Sequence, residues 1–134
     1  MKSQQTKPKI LVVDDEQNNL DLLYRTLRRE YTVLPVLSGQ AALEMLASEE
    51  DIAVIISDQL MPLMRGTELF RLTAIQYPNI IRIILAGYTD APDIVEALNS
   101  GRVFKCVLKP LETEELKEVL RQALNEEDSG KKSL

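Results

Sequence analysis

The sequence predicts an α/β domain, a doubly wound sheet of five parallel strands with five helices, and three observations point to it. Short aliphatic runs alternate with longer amphipathic stretches along the whole chain. The run Ile52-Ala53-Val54-Ile55-Ile56 is apolar at every position, as suits a strand covered on both faces. Strands alternating with helices in this way imply parallel βαβ units, with helices on both sides of an open sheet. A chain of 134 residues fits one such domain. At this size roughly two-thirds of the unfolded chain's surface is buried on folding, enough for a core without staples.

The elements follow in order. Ile10 to Val13 is the first strand, and the polar Asp14 to Asn19 separates it from a helix in which Leu20, Leu23, Tyr24 and Leu27 recur at helical spacing. Tyr31 to Val36 is the second strand, and Pro35 within it suits an edge position. Ser38-Gly39 opens a helix carrying Ala42, Leu43 and Leu46, which leads to the third strand. Beyond Pro62 and Gly66, a helix holding Leu69, Phe70 and Leu72 ends near Pro78, and Ile80 to Leu85 is the fourth strand. Asp90 is the expected N-cap of the fourth helix, with Pro92 in its first turn and Ile94, Val95 and Leu98 on one face. Gly101 stops that helix and Val103 to Leu108 is the fifth strand. Leu116, Val119, Leu120, Ala123 and Leu124 mark the last helix by an i, i+3, i+4, i+7, i+8 stripe. The expected domain covers residues 8–125, with flexible polar tails at 1–7 and 126–134.

Composition removes whole classes of function. The chain has no histidine and one cysteine, so Ser-His-Asp and Cys-His catalysis, His-ligated zinc and an intrachain disulfide are excluded within it. Sixteen basic against 21 acidic residues give a net charge of −5, which argues against nonspecific binding to nucleic acid or anionic membrane. Met1 to Lys9 carries no apolar signal-peptide core, and no apolar run approaches the ~18 residues of a membrane span. A cytoplasmic location is expected. Neither GxGxxG nor GxxxxGK[ST] occurs, so dinucleotide and P-loop readings lose their main support.

In an open α/β sheet, ligands bind beyond the carboxyl ends of the strands. Asp14 and Asp15 follow the first strand, Asp58 the third, and Lys109-Pro110 the fifth. Three carboxylates there repel one another unless a proton or a cation intervenes. Hard oxygen ligands in this number suit Mg²⁺, and Lys109 supplies a positive charge for a phosphate oxygen. The set points to a carboxylate that attacks phosphorus, giving an aspartyl phosphate. Asp58, ending the most apolar strand, is the candidate nucleophile, and the neighbouring Asp14 and Asp15 are the candidate metal holders. Each residue also has a plainer reading: Asp after a strand often caps a helix, Asp14-Asp15 would suit a helix N-terminus, and Lys109 would suit a solvated loop.

Leu11-Val12-Val13-Asp14-Asp15, Ser57-Asp58-Gln59-Leu60-Met61-Pro62, Gly66 and Lys109-Pro110, in this order, resemble the receiver domain of two-component response regulators. The wider wording, Ile83 to Asp90 included, looks most like receivers attached to cyclic-nucleotide phosphodiesterases or cyclases. The resemblance implies a flavodoxin-like fold with strand order 2-1-3-4-5. It implies that Asp58 accepts a phosphoryl group from the phosphohistidine of a sensor histidine kinase or phosphotransfer protein. Asp15, Asp58 and the backbone carbonyl of Leu60 would bind Mg²⁺ directly, Asp14 through a water, and Lys109 would pair with the phosphate. The Lys109–Pro110 bond would be cis. The output surface would be the fourth helix, fifth strand and fifth helix, with Asp93, Glu96, Arg102 and Lys105 exposed, contacting an effector protein or a second copy in a homodimer.

Two positions depart from the family pattern. Ala86 stands where a Thr or Ser hydroxyl usually bonds the phosphoryl group, and Cys106 where an aromatic usually rotates inward. Without that hydroxyl, a hydrogen bond to a charged acceptor, of order 1.5–3 kcal/mol, is forgone. Three readings are open: the signal is relayed through other groups, with Tyr88 or Thr89 in the same loop as candidates; the domain is a phosphorylation-independent adaptor; or the two positions have drifted and small shifts of the loop suffice. Cys106 itself suits a small core residue, with a redox role as the alternative. Leu60 to Met64 is apolar for a loop, which suits either a partner-docking edge or methionines tucked over the sheet end. An aspartate-nucleophile phosphatase would carry a second Asp two residues after the nucleophile, where this chain has Leu60.

Overall fold

A computed structural model describes residues 7–87 and 91–125. Its elements are β1 (Lys9–Val13), α1 (Gln17–Leu27), β2 (Thr32–Val36), α2 (Gly39–Ser48), β3 (Ile52–Asp58), α3 (Gly66–Gln76), β4 (Ile81–Ala86), α4 (Ala91–Asn99), β5 (Lys105–Leu108) and α5 (Thr113–Ala123). The strands are all parallel, in the order β2-β1-β3-β4-β5. Tyr88, Thr89, the expected cap Asp90 and most of the two expected tails lie outside the described residues. Among the described residues no helix is long and apolar enough to cross a membrane.

Side chains alternate across the sheet with the strand period of two. Ile10, Val12, Val54, Ile56, Ile83, Leu85 and Val107 face α1 and α5, where they meet Leu20, Leu23, Leu27, Leu116, Val119 and Leu120. Leu11, Val13, Ile55, Ile84 and Ala86 face α2, α3 and α4, where they meet Ala42, Leu46, Leu69, Phe70, Ile94 and Ala97. Burial on both faces explains why β3 reads as a continuous apolar run. Pro35 lies in edge strand β2 opposite Val12, where a missing ladder donor is tolerated. Ser38 caps α2, its hydroxyl accepting from Ala41 N–H at 3.0 Å.

Three expectations change in detail. On α4 the buried stripe is Ile94 and Ala97, while Val95 and Leu98 are exposed. A two-turn helix lying on a sheet turns only one narrow face inward, and residues 95 and 98 fall off it. On α1, Tyr24 is also outside the core, with the Arg28 guanidinium 5.9 Å from its ring centre. The fifth strand starts at Lys105 rather than Val103. Gly101 turns the chain at φ +80°, and Arg82 Nε–H donates to the Arg102 carbonyl at 2.7 Å, so Val103 is buried in a turn beneath α4 before pairing begins.

Candidate functional site

The strand ends and following loops bring the acidic residues together. Asp14 continues β1, and its N–H is held by the Val36 carbonyl of β2 at 3.2 Å. Its carboxylate is 2 % exposed and accepts from Glu16 N–H at 3.0 Å and from Asn19 Nδ2 at 3.2 and 3.3 Å. Asp15 beside it is exposed. Asp58 is the last residue of β3 and is 4 % exposed. One carboxylate oxygen from each of Asp14, Asp15 and Asp58 lies within 4.8 Å of the others. Three oxygen donors at one point, each from an acid, are the donor chemistry a hard divalent cation requires.

Lys109 completes the cluster. Its backbone N–H is held by the Ala86 carbonyl at 2.9 Å, at the end of β4, and its ammonium pairs with Asp58 Oδ1. The following Lys109–Pro110 bond is cis. Burial pushes the Asp58 carboxyl above the usual carboxylate range; Lys109 opposes this, and the charges of Asp14 and Asp15 add to it. A cavity of about 260 Å³ opens beside the cluster, lined among others by Asp14, Asn19, Leu22, Lys109 and Leu111.

The two positions that depart from the family pattern lie on adjacent strands, β4 and β5. Ala86 ends β4, buried and offering no hydroxyl. Cys106 sits in β5, half-buried against the α2-α3-α4 side of the core. The β3–α3 loop divides its apolar residues: Met61 is buried and Met64 packs against Gly39, whereas Leu60 and Leu63 face solvent. Of the expected output residues, Asp93 pairs with Arg65 at 2.8 Å and Glu96 with Arg102 at 3.3 Å. Lys105 is exposed.

Two polar residues here escaped the sequence reading. Asn19 looks like one more residue of a polar run, and only the fold turns its amide back onto Asp14. Gln59 looks like loop, yet it is fully buried and bonded to Thr67 on α3. Gly66 lies so close to β3 that a Cβ there would stand 2.6 Å from the Asp58 carbonyl and 2.5 Å from Ile84 Cδ1. Gly66→Ala should therefore lower stability by about 1–3 kcal/mol in a urea titration. An unchanged midpoint would mean that α3 is free to back away from the site.

Comparisons with known proteins agree with this architecture. The family model for the response regulator receiver domain matches residues 10–121. The chain is 38% identical over 115 residues to the hydrogenase transcriptional regulatory protein HoxA of Cupriavidus necator, covering 86% of this chain and 24% of that protein. It thus spans about a quarter of the length of that relative. It is 32% identical over 120 residues to a chemotaxis protein CheY homolog of Campylobacter jejuni, covering 87% of this chain and 92% of that one. Among solved structures, an adenylate cyclase from Rhodopirellula baltica superposes with a TM-score of 0.86 at 31% identity, over 90% of this chain and 89% of that one. The signal receiver domain of an HD domain-containing protein from Pseudomonas fluorescens gives a TM-score of 0.83 at 36% identity, over 89% and 95% of the two chains.

Proposed function

The chain belongs to the response regulator receiver domain family, and from that membership we propose that Asp58 is a phosphoacceptor in a Mg²⁺-dependent phosphorelay. The observation that carries the reading is the buried Asp58 carboxylate, with oxygens of Asp14 and Asp15 within 4.8 Å and the Lys109 ammonium paired to its Oδ1. The phosphohistidine comes from a histidine kinase or phosphotransfer protein or from another domain, because residues 1–134 include no histidine. An Asp58 oxygen forms the new bond to phosphorus as the P–N bond breaks, and the bonding pair leaves with the imidazole nitrogen, which takes up a proton.

Asp14, Asp15, Asp58 and the Leu60 carbonyl are the proposed holders of Mg²⁺, with Asp14 acting through a water. When bound, the ion neutralises charge on the phosphoryl oxygens. Asn19 and the Glu16 N–H fix the Asp14 carboxylate, so that the donor set is ready before any cation arrives. Lys109 is already at the acceptor oxygen, placed to follow the charge onto the phosphoryl group. Transfer is then a matter of positioning and charge neutralisation. The domain works in the cytoplasm and signals by protein contact, to an effector or a second copy through α4, β5 and α5, without binding nucleic acid itself.

Incubation with Mg²⁺ and a small acyl phosphate should yield a single phosphoryl adduct by intact mass, and EDTA should prevent it. Ala86 and Cys106 favour a second reading, a phosphorylation-independent adaptor. No adduct under conditions that label an ordinary receiver domain would overturn our reading and favour that one.

A further inference from the structure

Gln59, the residue directly after the acceptor, ties three elements together. Its N–H donates to the Leu85 carbonyl of β4 at 3.0 Å, and its own carbonyl accepts from Gly66 N–H of α3 at 3.0 Å. Its side-chain Oε1 accepts from Thr67 N–H at 2.9 Å, and Nε2 lies 3.1 Å from the Thr67 hydroxyl. Gln59 itself is 0 % exposed, while Thr67 at the other end of the side-chain bonds is half-buried. Two of the otherwise unpaired N–H groups of the first turn of α3 are thus satisfied by the residue that follows Asp58. Contact on the other side is equally close, because Gly66 leaves no room for a Cβ against the Asp58 carbonyl and Ile84.

A buried amide held at both ends cannot shift alone. Displacement of the Asp58 backbone must either break the Gln59–Thr67 bonds or carry the start of α3 with it. Ala86, by contrast, has no side-chain donor through which the fourth strand could grip a phosphoryl oxygen. We propose that Gln59 is a positioning residue that fixes Asp58 against the first turn of α3, so that phosphorylation of Asp58 is felt at Gly66 to Leu69. The proposal rests on the phosphoacceptor reading, and it names the first turn of α3 as a place where the acceptor's state is felt, apart from the α4, β5 and α5 contact surface.

The test uses the full chain, Mg²⁺ and a small acyl phosphate, with wild type, Gln59→Met, Thr67→Val and Thr67→Ser. Gln59→Met keeps an unbranched side chain of similar length and removes both amide bonds. Thr67→Val removes only the hydroxyl partner, and Thr67→Ser keeps it. Adduct formation should be roughly tenfold slower in Gln59→Met, the scale on which supporting hydrogen bonds act on a reactive carboxylate. Thr67→Val should be slowed less, and Thr67→Ser should react as wild type does. In wild type, amide hydrogen exchange at Gly66 to Leu69 should change by about fivefold or more on phosphorylation. That response should vanish in Gln59→Met, even where its adduct is brought to completion.

The exchange readout separates coupling from a merely structural role, since a loss of packing would alter exchange in the unphosphorylated state alone. Wild-type labelling with no exchange response at Gly66 to Leu69 would overturn the proposal and leave the phosphoacceptor reading intact. So would a Gln59→Met or Thr67→Val protein that labels and responds as wild type does. Failure of wild type to form any adduct would instead overturn the phosphoacceptor reading, and this proposal with it.

Discussion

Asp58→Asn is expected to abolish the phosphoryl adduct, to make the metal-free protein more stable at neutral pH, and to remove most of its stabilisation by Mg²⁺. The first effect follows from loss of the nucleophilic carboxylate. The second follows from the direction of its titration. Burial raises the Asp58 pKa above the ordinary carboxylate value, and Asp14 and Asp15 push the same way against Lys109. A carboxyl whose folded pKa lies above its unfolded one favours folding fully only below the unfolded value of 3.8. That contribution is lost as pH rises through the folded value, so at neutral pH the whole cost of the buried charge is in force. An amide of the same shape carries no such cost and still offers Lys109 an acceptor. The gain should be about 1–3 kcal/mol at pH 7 in EDTA, the scale on which poorly compensated buried polar groups cost stability. It should shrink as pH falls toward 4, where wild type also becomes neutral at this position. A ligand at a hundred times its dissociation constant adds roughly 2.7 kcal/mol, and wild type should gain this much from Mg²⁺ while the variant gains little. Urea titrations at several pH values, with EDTA and with Mg²⁺, check all of this. A variant less stable than wild type throughout would show that Asp58 is not strained by its neighbours, and one equally stabilised by Mg²⁺ would show that it is not a metal holder.

The architecture is legible in the sequence because its elements are built from strong periodicities. The apolar run of β3, the stripe of α5 and Pro35 in β2 each have one economical solution in a doubly wound sheet. The acidic cluster is legible for the same reason: once strand ends are located, parallel topology places whatever follows them at one edge. Less legible are features set by the neighbour rather than by the residue. Val95 and Leu98 match the periodicity of α4 and yet face solvent, because the sheet below has room only for Ile94 and Ala97. Met61 and Leu60 are adjacent and both apolar, but only Met61 meets the core. Asn19 and Gln59 are polar residues next to loops, and nothing local separates an amide that the fold holds in place, half-buried or buried, from a solvated one. Their partners are five and eight residues away, beyond the reach of a turn or a capping pattern.

Lys109→Met should slow adduct formation by about a hundredfold or more, the loss found when a preorganised positive partner is removed from a developing oxyanion. The structural basis is that Lys109 is anchored from behind. Its N–H is fixed to the Ala86 carbonyl, so the side chain leaves the sheet at the same edge as Asp58 and reaches Oδ1. The same substitution should destabilise the metal-free protein, because Asp58 would keep its burial and its two acidic neighbours while losing the cation that opposes them. Half-exposure of the lysine limits that loss to about 1–2 kcal/mol, less than for a fully buried pair. Two consequences separate this account from a general effect of removing a lysine. Mg²⁺ should restore most of the lost stability, because a cation at the carboxylates does the same electrostatic work. In the double variant Asp58→Asn, Lys109→Met the cost of the second change should nearly disappear, giving a coupling of about 1 kcal/mol or more in a double-mutant cycle. A lysine substitution that costs as much beside Asn as beside Asp, or that leaves the labelling rate unchanged, would place Lys109 outside the chemistry and reduce it to a loop residue.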